Sequence, residues 1–137
     1  MADVPVPELK AVARAVRLWG PVLLWMVAVF LLSSLSRPDF IARIPDWVSH
    51  PSEFGVGAFL VCHALVDGAR PSWRAMAVAV LLATAYGVAD EYHQSLVPGR
   101  DADLGDVAKD FAGAAAAAAL YRWSAAPRPA VREEAAG

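Results

Sequence analysis

Leu18 to Ser36 reads LWGPVLLWMVAVFLLSSLS, 19 residues without one formal charge. A helix crossing the hydrocarbon core of a bilayer takes about 20 mostly apolar residues, so this stretch nearly sets the class of the chain by itself. Working outward, Ala75 to Ala89 (AMAVAVLLATAYGVA) is a second uncharged run, and Trp73 lengthens it across Arg74. Phe54 to Val66 (FGVGAFLVCHALV) is a third. Counted from Trp47, with Glu53 inside it, this run also attains the length of a span. Phe111 to Tyr121 (FAGAAAAAALY) is a fourth, and from Val107 it takes in Lys109 and Asp110. Two spans are complete in themselves. The other two need charged residues in their first turns. Short apolar runs also occur as buried core helices, but four of them in 137 residues leave little polar surface to cover them. The expected fold is an all-α bundle of four transmembrane helices.

Composition points the same way. The chain is 58% hydrophobic and 19% charged, against about 45–50% and about 25% in a typical soluble domain. Such hydrophobicity excludes a disordered chain. A net charge of −2 gives no basic surface for nucleic acid. The one cysteine, Cys62, excludes an internal disulfide and a cysteine-built zinc site. The expected organisation is a cytoplasmic segment over 1–17, a membrane domain over 18–123 and a flexible cytoplasmic tail over 124–137. Residues 1–8 (MADVPVPE) read as a frayed terminus, while Leu9, Val12, Val16 and Trp19 recur at helical spacing. Small residues let membrane helices approach closely, and Gly113 with the alanines at 114–119 is such a stripe.

Basic residues favour the cytoplasmic side. Lys10, Arg14 and Arg17 precede the first span, Arg70 and Arg74 lie between the second and third, and Arg122, Arg128 and Arg132 follow the fourth. Only Arg37, Arg43 and Arg100 fall on the other side, with Lys109 just inside the fourth span. Both termini are therefore expected in the cytoplasm.

In that topology one face of the membrane receives the C-terminal ends of the first and third helices and the N-terminal ends of the second and fourth. The unusual polar residues fall at those four ends: Ser33, Ser34 and Ser36; His50 and Glu53; Asp90, Glu91, His93 and Gln94; Asp106, Lys109 and Asp110. Ionisable groups at membrane depth are costly and point to function. His50 and Glu53 are i,i+3, as are Asp90 and His93; Asp90 and Gln94, and Asp106 and Asp110, are i,i+4, so each pair shares a helix face. Like charges at that spacing need a cation, a proton or a metal between them, and Asp103 extends the acidic face backward. Pro51 suits the first turn of a helix, where its missing N–H is harmless. Val97-Pro98-Gly99-Arg100 has the proline and glycine of a type II turn, which would aim Arg100 back at the carboxylates.

These residues carry a family resemblance. D-E-x-H-Q-x-x-V-P-G-R at Asp90 to Arg100, then D-x-x-x-D and a glycine at Asp106, Asp110 and Gly113, resembles the VanZ-like family. H-x-x-E-F at His50 to Phe54 is similar to the family's upstream motif, and the serines at the end of the first helix to its polar exit there. The resemblance covers about residues 20 to 122. Asp110 stands where the family usually has asparagine, and the added charge favours a cation or a shared proton. What the resemblance implies is a small polytopic protein of the bacterial cell membrane. It brings with it low-level resistance to the glycopeptide teicoplanin, and a grouping with membrane enzymes acting on lipid head groups or lipid-linked envelope intermediates.

Each candidate has a functional and a bland reading. Asp90 and Glu91 form a general base and its partner, or a brace to Arg100. His50 moves protons or ligates a metal, or simply bonds to Glu53. Arg100 holds a phosphate or carboxylate, or bridges to Asp103 or Asp106. For these the functional reading is favoured. His93, His63, Cys62, Ser34 and Ser36 are read as structural. A divalent cation is not favoured: a carboxylate-rich set suits magnesium or manganese, but no zinc-type H-E-x-x-H helix is present. The expected activity is enzymatic. His50, Glu53, Asp90, Glu91 and Gln94 work on the head group of a lipid or lipid-linked envelope intermediate, while Arg100, Asp106 and Asp110 bind or orient it. The alternative is a non-enzymatic factor that binds an envelope precursor or glycopeptide.

Overall fold

The computed structural model describes residues 6–36 and 44–125, so Arg37, Arg43, Arg128, Arg132 and nearly all of the expected tail lie outside the described residues. Four helices make up the fold: α1 (Val6–Ser33), α2 (Asp46–Val66), α3 (Trp73–Gln94) and α4 (Leu104–Ser124), with no strand among the described residues. α2 and α3 form the central pair. α1 packs on both from one side and α4 from the other, and α1 and α4 do not pack on one another among the described residues.

Local chemistry sets most of the ends. A side-chain oxygen that accepts from a first-turn N–H caps a helix start. Ser72 does this for α3, its hydroxyl accepting from the Ala75 N–H at 3.2 Å. Asp103 does it for α4, accepting from the Gly105 N–H at 2.7 Å. α2 stops at Asp67, which takes the left-handed conformation at φ 49° and donates its N–H to the His63 carbonyl, a common way to end a helix. Asp103 is therefore the cap of α4, just outside the helix whose acidic face it was expected to extend. Residues 6–8, expected frayed, are already helical. Pro51 is not in a first turn either: α2 begins at Asp46, so the proline sits in the second turn and leaves a carbonyl without its helical donor. Val97 to Arg100 makes the expected turn, with Gly99 at φ 81°. The Arg100 N–H closes it on the Val97 carbonyl at 3.1 Å.

The interior is apolar toward one end and polar at the other. Leu18, Val22, Val61, Cys62, Met76, Ala79, Ala118 and Tyr121 form one cluster. Next comes an aromatic layer, in which Trp25 meets Phe54 edge-on, ring centroids 5.8 Å apart, an arrangement aromatic pairs prefer. Trp25 also donates its indole N–H to the Glu53 carbonyl at 3.0 Å. Ala58, Ala83 and Ala114 close the three-helix contact of α2, α3 and α4. α2 and α4 approach so closely at Gly113 that any Cβ there would overlap the Pro51 backbone, the use that small residues find between membrane helices. Among the described residues the buried polar ones are Ser33, Asp90, Glu91, Gln94 and Asp110, all toward the far end of the bundle.

Outside, the pattern inverts. Leu24 is 71% exposed, Leu81 65%, Val56 53% and Leu120 54%, one from each helix. Exposed apolar surface on this scale marks a surface for a membrane or a protein partner. α1 and α3 are each long and apolar enough to cross a membrane.

Candidate functional site

Three helix ends and one turn build the site. α2 supplies His50, whose Nδ1 lies 3.0 Å from Asp110 Oδ1 and whose Nε2 lies 3.4 Å from Asp106 Oδ2, both on α4. Glu53, the partner in the bland alternative, is not the one His50 uses. Asp110 is fully buried, and α3 makes room for it with Gly87, where a Cβ would stand 2.5 Å from Asp110 Oδ2. Donors at both ring nitrogens exist only in the imidazolium. In a neutral tautomer only one of the two carboxylates faces a ring N–H. Asp106 has a second partner in Lys109, one turn along α4.

α3 supplies the other acids. Asp90 accepts from Gln94 Nε2 at 2.6 Å, the i,i+4 pairing its spacing implies. Glu91 accepts from the Asp103 N–H at 2.8 Å through Oε2, while its Oε1 is buried with no partner. Neither forms the brace to Arg100 that was the bland alternative. His93 leaves the site: its Nε2 pairs with the Ser34 hydroxyl at 2.9 Å and its ring packs on Phe30. Ser34 also donates to the Phe30 carbonyl and Ser36 to the Pro98 carbonyl, so both serines are tied to backbone.

The turn after α3 carries Arg100 over two adjoining cavities. One, of about 220 Å³, is lined by His50, Gln94, Arg100 and Asp106, together with Asp46, Asp101 and Asp103. The other, of about 190 Å³, adds Ser33, Ser49 and Glu53. Despite this acidic lining, Arg100 forms no ion pair among the described residues, and its Nε is buried without a hydrogen-bond partner. The bridges to Asp103 and Asp106 that its spacing offered are not made.

His50, Asp106 and Asp110 are thus gathered in one network, with a Glu91 oxygen within 4.8 Å of its His50 and Asp106 atoms. Glu53, Gln94 and Arg100 line the space beside it, and Asp90 stands one contact back, behind Gln94. Asp46 and Gly87 are among the contributors that went unread in the sequence. Asp46 lines both cavities, and its i,i+4 spacing to His50 is the signal that places it there. Gly87 carries no chemical group; a glycine in an apolar helix, one turn before Asp90 and Glu91, is the trace it leaves.

The arrangement offers an unpartnered guanidinium for an anion, an imidazole oriented by a buried carboxylate, and buried acids able to take a proton or a cation. No curated protein and no solved structure matches the chain. The model of the VanZ/LLP1 family does match, over residues 18–125, which takes in α2, α3, α4 and every residue of the site. The chain belongs to the VanZ/LLP1 family.

Proposed function

We propose that this is a four-span protein of the bacterial cell membrane, with both termini in the cytoplasm, whose outer-end pocket acts enzymatically on a phosphate-bearing head group of a lipid or lipid-linked envelope intermediate. Each helix has at least 21 residues, about 30 Å of rise and the thickness of a hydrocarbon core. The charges that weaken α2 and α4 as spans face one another inside the bundle, as His50 with Asp110, or are paired, as Asp106 with Lys109. Arg14, Arg17, Arg70, Arg74 and Arg122 gather at the opposite end, the cytoplasmic one by the basic-residue rule.

The observation that carries the head-group reading is Arg100. A buried guanidinium nitrogen without an acceptor costs stability, and here it stands among four aspartates and bonds to none. A phosphate entering the cavity supplies the missing acceptor in the planar geometry arginine favours. His50, oriented by Asp110, then moves a proton during cleavage or exchange of the head group, with Glu53 facing the adjoining cavity as the second proton-handling group. A groove of about 480 Å³ between α2 and α4, lined by Gly55, Val56, Phe59 and Leu120, begins at Pro51 beside His50. Its apolar walls suit an acyl or prenyl chain.

The test is untargeted lipid analysis of membranes with and without the protein, followed by turnover of the changed lipid in reconstituted vesicles. His50→Ala, Glu91→Ala and Arg100→Ala that insert normally are expected to lose the product; full activity in all three overturns the reading. Binding of the lipid by the wild-type protein without any product replaces the enzyme with a binding factor.

A further inference from the structure

The geometry points to a binding site for one divalent transition-metal cation where α2, α3 and α4 meet, held by His50, Glu91 and Asp106. Each of the three offers one ligand atom, and these atoms lie within 4.8 Å of one another. The spacing of the His50–Asp106 pair fits a metal better than a hydrogen bond. His50 Nε2 to Asp106 Oδ2 is 3.4 Å, beyond the ~2.7–3.2 Å usual for an N–H···O bond. Two ligands on tetrahedral arms of about 2.1 Å stand roughly 3.4 Å apart.

Two further observations concern groups aimed at this point. Glu91 is 5% exposed; its Oε2 is fixed by the Asp103 N–H, and its Oε1 has no hydrogen-bond partner. A buried carboxylate oxygen left in that condition costs stability unless something binds it. On the far side of the ring, Nδ1 of His50 meets the fully buried Asp110 at 3.0 Å. A metal-ligating histidine almost always gives its other ring N–H to such a carboxylate, which fixes the tautomer and turns the free nitrogen toward the ion. Lys109 holds Oδ1 of Asp106 and leaves Oδ2 facing His50.

The donor set also sorts the ions. Calcium takes six to eight oxygens, and an imidazole displaces it from preference. One imidazole and two carboxylates suit Zn²⁺ and Mn²⁺. Cation and proton compete for the same Nε2, so His50 serves as a ligand in the loaded site and as the proton-moving group only in the metal-free one. The inference goes beyond the head-group reading and does not rest on it, because it concerns the protein without substrate.

The experiment uses the full chain in detergent, stripped by a chelator and titrated with Zn²⁺ by calorimetry and with Mn²⁺ by electron paramagnetic resonance. One cation per chain is expected. Glu91→Gln and Asp106→Asn should lose it. Asp110→Asn, which keeps an acceptor behind the ring but removes its charge, should weaken it about ten- to a hundredfold, and Arg100→Ala should keep it. Bound Mn²⁺ in the wild-type protein should show imidazole nitrogen modulation in its spin echo, a readout that needs no variant to fold. No saturable site, equal affinity in Glu91→Gln, or an echo without nitrogen overturns the proposal. Lipid turnover without metal binding retires the cation and keeps the head-group reading; metal binding without turnover does the reverse.

Discussion

α2 carries a histidine near each end, and the bundle treats them in opposite ways. His63 sits in the apolar half, its Nδ1 3.2 Å from the hydroxyl of Tyr121, a neutral partner in a packed aromatic corner with Phe59. His50 sits in the polar half with a carboxylate facing each ring nitrogen and two cavities beside it. The charges divide the same way. At the His63 end, Asp67 is held by Arg17 at 2.7 Å and by Arg14 at 3.0 Å, and Arg122 stacks on Trp73 while donating to the Pro71 carbonyl. Those groups are paired and largely solvated. At the His50 end, Glu91 Oε1, Asp110 Oδ2 and Arg100 Nε are buried and unpartnered. One end uses its charges to fasten helices; the other keeps them available for something that binds.

The sharpest way to break this contrast is to exchange the histidines' fates. His50→Ala should lower lipid turnover by about 10²–10⁴-fold, the usual loss for a group that moves a proton. His63→Phe should leave turnover unchanged and remove one neutral hydrogen bond, worth about 1 kcal/mol in a detergent melt. Equal loss of activity in both would end the comparison.

Next in size is packing. Gly113→Ala forces a methyl into the Pro51 backbone and should destabilise by about 3 kcal/mol, the upper range for overpacking. Gly20→Ala, in α1 with nothing within 4 Å of the new carbon, should stabilise by up to about 1 kcal/mol. The same pair of melts checks both signs.

The smallest effect lies at the fastened end. The hydrogen bond from Arg17, then the one from Arg14, holds the Asp67 carboxyl below the usual carboxylate range. Its stabilising contribution is therefore complete above about pH 4, the ordinary value for an aspartate, and fades as pH falls through the lowered one. Asp67→Asn should remove this small acid-side slope from melts recorded below about pH 4 and change little at neutral pH. Because the pair is exposed, added salt should shrink the difference further.

α1 and α3 were legible as uncharged runs, because each is long and apolar enough to cross a membrane without help from another helix. α2 and α4 were blurred at their starts, because what neutralises His50 and Asp110 is a residue on another helix, and a linear sequence does not show that pairing. Spacing along one helix foretold Asp90 with Gln94, and the proline and glycine foretold the turn at Arg100. Pro51 was misplaced into a first turn, through a helix start taken too late. Asp103 spent its carboxylate on a cap, a local choice that competes with any long-range role. Gly87 was silent because its contribution is a missing side chain.

The central claim is that Arg100 is kept without a protein partner so that a ligand anion can use it. It is tested most directly by measuring thermal stability and lipid turnover together in Arg100→Ala. The expected result is turnover lost with the melting temperature unchanged or raised, since no ion pair is broken and an unmet buried nitrogen is removed. A clear drop in melting temperature with turnover retained would show Arg100 to be a brace, and would contradict the claim.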